Sequence, residues 1–530
     1  MVRTTQLLAC LLALAACSAR ESHPSGRVVR YALADEPPQL NSTKASDAES
    51  GFLLGHIMEG LTRQGPGAKI LPGVAERWEL GERRAVFHLR RNALWADGKP
   101  VTARDFVFAW RLVVDPANAS EYAFIMGSIK NAEAITAGKL PPTSLGVAAP
   151  DDWTLVVELD RPCGYFLGLT AFQTFLPLRE DFYDQKRGRY ASDAGDLLSD
   201  GPFMLTRWVH AAELTLEKNP RYWNAANVHL DRIEIPYITH DNGARYNLFM
   251  DGKVDSLSID KQEIDRAQAD RLRMHIFLDG TVWYFDFNHR PGRPTANFHL
   301  RKAMQLAFDP AEFVSKIIGI PGTQPAASFI PSWVPGVKET LRQEHPIPPI
   351  AIDLARARQE LELAKKELGG QIPRIALLTD DGPLAARQAE YFQNLFGARL
   401  GLEIRIDKQT FKQRLQKMRE GDFDLVAAGW GPDYADAMTF ADLFTSWNEN
   451  NHGKYRSARY DALIQKAQAS ADQAVRTEAM AAAQRLLLDE VGVLPTYERA
   501  LLWVHQPWLQ GELRHVVGPD PDFVFASIRD

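Results

Sequence analysis

The run that decides the fold begins at residues 374–380, RIALLTD. It continues through AARQAEYFQNLFGARLG (385–401), LEIRID (402–407), FKQRLQKMREG (411–421) and FDLVAAGW (423–430). The first, third and fifth stretches are short, apolar and rich in β-branched or aliphatic residues, as strands are. The second and fourth carry apolar residues at helical spacing and end in glycine. Strand, helix, strand, helix, strand in that order implies right-handed crossovers in a partly parallel sheet, an α/β architecture. The last strand runs into GWGPDY (429–434). Open α/β sheets bind ligands just beyond the C-terminal ends of their strands, so this segment is the candidate site. Two glycines and a proline surround one acid, Asp433, between Trp430 and Tyr434. From these six residues Asp433 is either turn chemistry beside Gly431 and Pro432 or a carboxylate placed to hold a positive charge.

The rest of the chain is consistent with more than one such unit. RVVRYALA (27–34), RAVFHLR (84–90), DWTLVVELD (152–160) and DRIEIPYI (231–238) read as strands, with Phe87 and Leu89 on one face. WADGKP (95–100) turns at Asp97-Gly98. In VTARDFVFAWRLVVDP (101–116), Thr102 with Asp105 is a capping-box pattern that opens a helix closed by Pro116. Residues 297–318 read as two helices broken at Asp309-Pro310. HPIPPIAID (345–353) reads as a surface crossing. Residues 353–370 form an amphipathic helix stopped by Gly369-Gly370. At 530 residues the chain exceeds one ordinary core, and two or three domains are expected.

The first residues belong to targeting rather than fold. MVRTTQLLACLLALAAC has one basic residue, Arg3, then an apolar run too short to span a bilayer. LAAC (14–17) is similar to the lipobox of bacterial lipoproteins, which implies cleavage before Cys17 and lipid on that cysteine; an ordinary signal peptide cut nearby is the alternative. SARESHPSG (18–26) reads as a tether. Loss of Cys10 with the signal and lipidation of Cys17 leave Cys163 alone among three cysteines, so no internal disulfide is available. Cys163 itself reads as a small buried residue. The net charge of −6 is spread along the chain, which argues against nucleic acid as a partner.

Catalytic hardware is hard to find. The sequence has no phosphate-cradling Gly-Lys-Ser/Thr loop, no His-Glu-x-x-His, no Gly-x-Ser-x-Gly elbow, and no metal-ligand spacing among its thirteen histidines. SIDK (258–261) formally matches a serine–lysine acylase pattern but lacks the companion segments. A large exported chain of this kind is expected to bind rather than to catalyse, with no cofactor and no metal.

Several long stretches resemble one family, in order, over nearly the whole mature chain. They are LPGVAERWEL (71–80) with FHLRRNALWADGKPVTARDFVFAWRLVVDPANASEYA (87–123), then SDGPFMLTRWV (199–209), LEKNPRYWN (216–224), FNHRPGRPTANFHLRKAMQLAFD (287–309) and FDLVAAGWGPDYADAMTF (423–440). By these the chain is similar to the dipeptide- and oligopeptide-binding solute-binding proteins (family 5) that serve ABC importers. The resemblance implies a periplasmic-binding-protein-like α/β fold, with two hinged lobes closing on a ligand and an extra domain inserted early. Domain I would comprise 27–50, 175–276 and 495–530, domain II 51–174, and domain III 277–494. It also implies a monomeric, lipid-anchored receptor in the periplasm that hands peptides to an inner-membrane ABC permease.

The family's site residues carry over position by position. Asp433 would pair with a peptide's free α-ammonium, a charge too costly to bury alone. Gly429 and Trp430 would supply backbone groups and an aromatic wall, Phe411 a further wall, and Glu36 and Tyr122 the opposite lobe; each is also compatible with ordinary packing. Main-chain hydrogen bonds would hold an extended peptide while roomy hydrated pockets accept varied side chains. Two departures stand out. Relatives that clamp a short peptide's carboxylate use arginines where this chain has Met418 and Ala427, which leaves ligand length open. Arg414, Lys417 and Arg419 nearby read as a solvated helix face. Gly431 replaces a disulfide cysteine of some relatives. A relative tuned to a murein peptide, nickel chelate, haem or sugar remains an alternative, as does a sensory or chaperone-like binder without a permease. Ser18 after the cysteine, rather than Asp, leans towards the outer membrane.

Overall fold

The computed structural model describes residues 26–66, 69–349, 351–448 and 450–529, except for the side chains of residues 411 and 412. The signal segment, Cys10, Cys17 and all of the tether but Gly26 lie outside the described residues. Three sheets organise the chain.

The first sheet has four strands. Val28–Leu33 pairs in parallel with Arg232–Ile238, which continues antiparallel through Glu213–Lys218 to Phe203–Val209. The second is antiparallel, in the order Ala75–Leu80, Arg84–Leu89, Thr154–Glu158 and, at the edge, Val147–Asp151. Its apolar face packs on the helix Ala103–Val114. That helix begins where the sequence pattern puts it: the Thr102 N–H donates to Asp105 Oδ2 at 2.8 Å, and Trp95 Nε1 donates to the same oxygen. Trp110 on its inner face is fully buried, meets Phe175 at 5.1 Å between ring centroids, and donates its indole N–H to the Phe175 carbonyl. Buried aromatic rings of this size supply much of the apolar area a core removes from water.

The third sheet is mixed and has seven strands. Ile404–Gln409, Ile375–Asp380 and Leu425–Trp430 run parallel, with Ile375–Asp380 in the middle. The helices Pro383–Leu400 and Phe411–Glu420 make the two crossovers. Both stop at a glycine in the left-handed region, Gly401 and Gly421, as a chain must when it leaves a helix sharply. Beyond Leu425–Trp430 the sheet turns antiparallel through His275–Phe287, Val493–His505 and Ser256–Ile259, with Gln324–Pro325 added to Val493–His505. The two long strands run across the domain boundaries expected at 276/277 and 494/495. The broken helix pair is present as Phe298–Ala307 and Pro310–Phe313, and the second continues as a π-turn to Ile318. Ser258 and Lys261 form no dyad: the lysine donates to the Ile317 and Ile318 carbonyls at that helix end.

Candidate functional site

Leu425–Trp430 is a strand because its apolar residues face two buried neighbours, Ile375–Asp380 and His275–Phe287. It ends where Gly431 and Pro432 remove first a side chain and then a backbone donor. Asp433 follows, and its N–H donates to Thr439 Oγ1 at 3.1 Å. The local turn is served by another acid, Asp436, which accepts the Met438 N–H at 2.9 Å. The Asp433 carboxylate makes no backbone hydrogen bond among the described residues and is instead faced by the Tyr122 phenol. Two candidates far apart in sequence therefore meet. Burial pushes the Asp433 carboxyl up to about 6, and the Tyr122 hydroxyl only partly offsets this. Burial and the facing carboxylate push the Tyr122 phenol above its ordinary range.

The surroundings are acidic and aromatic. Asp442 is pushed up to about 7 by burial and by Asp433, with Arg161 opposing and Asp436 adding to the rise. Asp436 is neutralised by Arg476, whose Nη2 lies 2.7 Å from Oδ1 and whose side chain is 0% exposed. Arg476 also stands over the ring of Tyr165. Tyr165 and Tyr434 are stacked, 4.4 Å between centroids at an interplanar angle of 9°. Sequence reasoning missed Arg476 and Tyr165, and nothing local marks them, since each matters only through a residue distant in the chain.

Gly429 is paired with Trp283, and a Cβ at Gly429 would come within 2.9 Å of the indole ring. Its missing side chain lets Trp283 lie along the strand and stack on Tyr497. Trp430 is half-buried, and its Nε1 has no partner among the described residues. Gly280 sits at an irregularity of the His275–Phe287 strand with φ of +82°. A Cβ there would strike Val516, Trp333 Nε1 and Pro432, so the strand, the C-terminal loop and the approach to Asp433 converge on a position only glycine fills.

The other candidates stand apart. The Glu36 carboxylate accepts from Trp208 Nε1 (2.8 Å), His210 Nδ1 (2.6 Å) and the Ala211 N–H (2.8 Å). It is thus committed to the hairpin of the first sheet; against burial, the His210, Trp208 and Ala211 hydrogen bonds hold it below the usual carboxylate range. Phe411 opens the helix Phe411–Glu420, and its side chain lies outside the described part. Cys163 is half-buried rather than fully buried, and burial pushes its thiol up to about 11.

One reading is corrected. Arg414 does not belong to a solvated helix face: it is buried, with Nε 2.8 Å from Asp380 Oδ1 and Nη1 donating to the Ala427 carbonyl and contacting Met418 Sδ. The amphipathic period of that helix turns Arg414 and Met418 inward together, and Asp380 at the end of its strand supplies the counter-charge. Lys417 is half-buried between Asp407 and Asp422, and Arg419 alone of the three is exposed.

Among the described residues no group of His, Cys, Asp and Glu could hold a metal ion, and no helix is long and apolar enough to cross a membrane. The sequence pattern of the bacterial extracellular solute-binding proteins, family 5 Middle, matches residues 69–452. The oligopeptide-binding protein OppA of Bacillus subtilis is 29% identical over 491 residues, spanning 90% of this chain and 88% of OppA. The probable deoxycholate-binding periplasmic protein YgiS of Escherichia coli is 30% identical over 510 residues, spanning 94% and 93%. The solved structure of Listeria monocytogenes OppA bound to peptide superposes with a TM-score of 0.79 at 29% identity, covering 96% of this chain and all of that one.

Proposed function

The chain belongs to the bacterial extracellular solute-binding proteins of family 5, and from that premise we propose that it captures peptides between two lobes and holds their free α-ammonium on Asp433. It then presents the closed form to an ABC permease in the inner membrane. The observation that carries the reading is the state of the Asp433 carboxylate: half-buried, free of backbone donors among the described residues, and faced by Tyr122 from a distant part of the chain. A carboxylate so placed is costly until a cation arrives, and only the first residue of a peptide carries an α-ammonium, so the same pair fixes register. Trp430 and Gly429 on the adjoining strand would wall the peptide's first residues. Glu36 supports the opposite lobe through its hairpin, and Phe411 is retained as a wall residue.

The domain division proposed is 27–50 with 175–276 and 495–530, 51–174, and 277–494. The two long strands are the links about which the lobes would close. Cleavage before Cys17 and lipidation there would hold a monomeric receptor at the membrane in the cell envelope. A second reading, a ligand without an amine, is supported by the similarity to the probable deoxycholate-binding YgiS. The two readings part at Asp433. With calorimetric titration, Asp433→Asn is expected to weaken free-amine peptides by about 2–5 kcal/mol, while N-acetylated peptides bind poorly to the parent protein and lose little more. Equal titration curves for free and acetylated peptides would refute the ammonium role and favour the amine-free ligand.

A further inference from the structure

The strands Leu425–Trp430, His275–Phe287 and Val493–His505 lie side by side, and their pairing sets residues in rows across the sheet. Trp283 pairs with Gly429 on one side and with Tyr497 on the other. Two residues along each strand, on the same face, come Gly431, Thr281 and Arg499. The contacts agree: a Cβ at Gly431 would lie 3.5 Å from Thr281 Oγ1, and Arg499 Nη2 donates to that oxygen at 3.2 Å. Gly431 is exposed, and Asp433 follows it two residues later. The row at the strand end therefore carries a cation. Allowing those two residues their full extension, it lies within about 15 Å of the Asp433 backbone.

Arg499 is held in place. Its Nε donates to Asp279 Oδ2 at 2.7 Å, and Nη2 pairs with the same oxygen as well as with Thr281 Oγ1. Asp279 Oδ1 is fixed in turn by the Thr281 N–H at 3.0 Å. A guanidinium has five N–H groups. The two on Nη1 make no hydrogen bond among the described residues. They are also accessible: the Arg499 side chain is 40% exposed and that of Asp279 only 9%, so the ion pair turns its cationic end to solvent. Every other residue from Val493 to Ala500 is buried. A donor already locked in position loses little freedom on binding, and its strongest hydrogen bonds are to carboxylates.

We propose that Arg499 is a specificity-determining residue that takes a carboxylate of the captured peptide on Nη1. The inference rests on the peptide-capture reading and adds to it the ligand's second charge. With the α-ammonium on Asp433, an extended chain rising about 3.3 Å per residue reaches Arg499 within about four residues. Either the C-terminal carboxylate of a short peptide or an acidic side chain near the amino end supplies the group.

The test is calorimetric titration of the full mature protein with two sets of peptides. Alanine peptides of two to five residues, with free or amidated C-termini, read the terminal carboxylate. Amidated penta-alanine with Glu or Gln at each of the first four positions reads the side chain. In the parent protein one length, or one position, is expected to favour the carboxylate over its amide by about tenfold. Arg499→Gln should bring that ratio to within about twofold of one. A loss of stability alone would not do this, since it weakens the carboxylate and amide forms alike. If Arg499→Gln does not fold, Arg499→Gln combined with Asp279→Asn takes its place, because no unpaired acid is then left behind. No carboxylate preference in the parent protein, or one that survives the loss of Arg499, overturns the assignment and leaves peptide capture standing. Failure of every peptide to bind overturns peptide capture and the assignment with it.

Discussion

Acidification should weaken peptide capture before it weakens the protein. In the unliganded molecule burial raises the Asp433 carboxyl to about 6, whereas a paired ammonium demands its ionised form. The ligand's own α-ammonium titrates near 8 and stays charged throughout the acid range. Below the pKa of Asp433 a proton must therefore leave on binding, and apparent affinity falls in proportion to the ionised fraction. From pH 7 to pH 5 that loss is about tenfold, or about 1.4 kcal/mol, and it approaches a further tenfold by pH 4. The groups facing Asp433 shape the curve. The Tyr122 phenol faces the carboxylate and favours its ionised form, while Asp442 and Asp433 raise each other's negative field and, around Asp442, Asp436 adds to it and Arg161 opposes it. Asp442, raised to about 7, contributes a shallower slope above pH 6.

The stability of the empty protein has the opposite sign at this residue. The folded-state pKa of Asp433 lies above its unfolded value, so the folded form is favoured where the group is protonated. That contribution is lost as pH rises from about 4 through about 6. The assay is calorimetric titration with one peptide and its N-acetylated form at pH 7, 6 and 5, in buffers of differing ionisation enthalpy so that released protons are counted. Free-amine affinity that is flat from pH 7 to 5, or an acetylated peptide with the same slope, would refute the reasoning.

Two further outcomes are expected. Arg476→Met leaves Asp436 buried beside the Tyr165–Tyr434 stack without its counter-ion, at a cost of about 3–5 kcal/mol, which a thermal melt reads directly; an unchanged Tm would show that the pair is not the source of order there. Gly429→Ala drives a Cβ to 2.9 Å from Trp283 Cε2 between paired strands, and urea unfolding should show about 1–3 kcal/mol of lost stability together with weaker peptide binding, whereas parent-like stability would mean that the indole moves freely aside.

Local chemistry was readable where local chemistry decides the structure. The Thr102–Asp105 cap, the glycine stops after residues 367 and 420, and the strand–helix order of 374–430 all depend on neighbours a few residues away. The two long strands were not readable. His275–Phe287 is interrupted by Asp279-Gly280, and Val493–His505 contains Pro495, Glu498 and Arg499, residues that argue against a strand interior. Tertiary partners reverse that argument. Glu498 accepts from Ser332 and Arg342, and Arg499 Nε pairs with Asp279 at 2.7 Å. Arg414 was misread for the same reason, because Asp380 is close only after the parallel sheet has formed.

The position of GWGPDY was legible from hydrophobic alternation, but the meeting of Asp433 with Tyr122 was not, and its physical consequence lies in where it happens. Pro432 touches the space left by Gly280 at the irregularity of the His275–Phe287 strand, which Val516 fills from the other side. That strand and Val493–His505 link the expected lobes. A charge held at Asp433, as proposed, would act one residue from Pro432, which approaches the point where a long strand departs from regular register. Register irregularities concentrate twist and bending, so a small change in the angle between lobes displaces Pro432 and Asp433 relative to Tyr122 by more than it displaces the rigid sheet interior. On the proposed reading this proximity would couple capture to closure, and a side chain at Gly280 would strike Val516 and Trp333 and disrupt the strand itself.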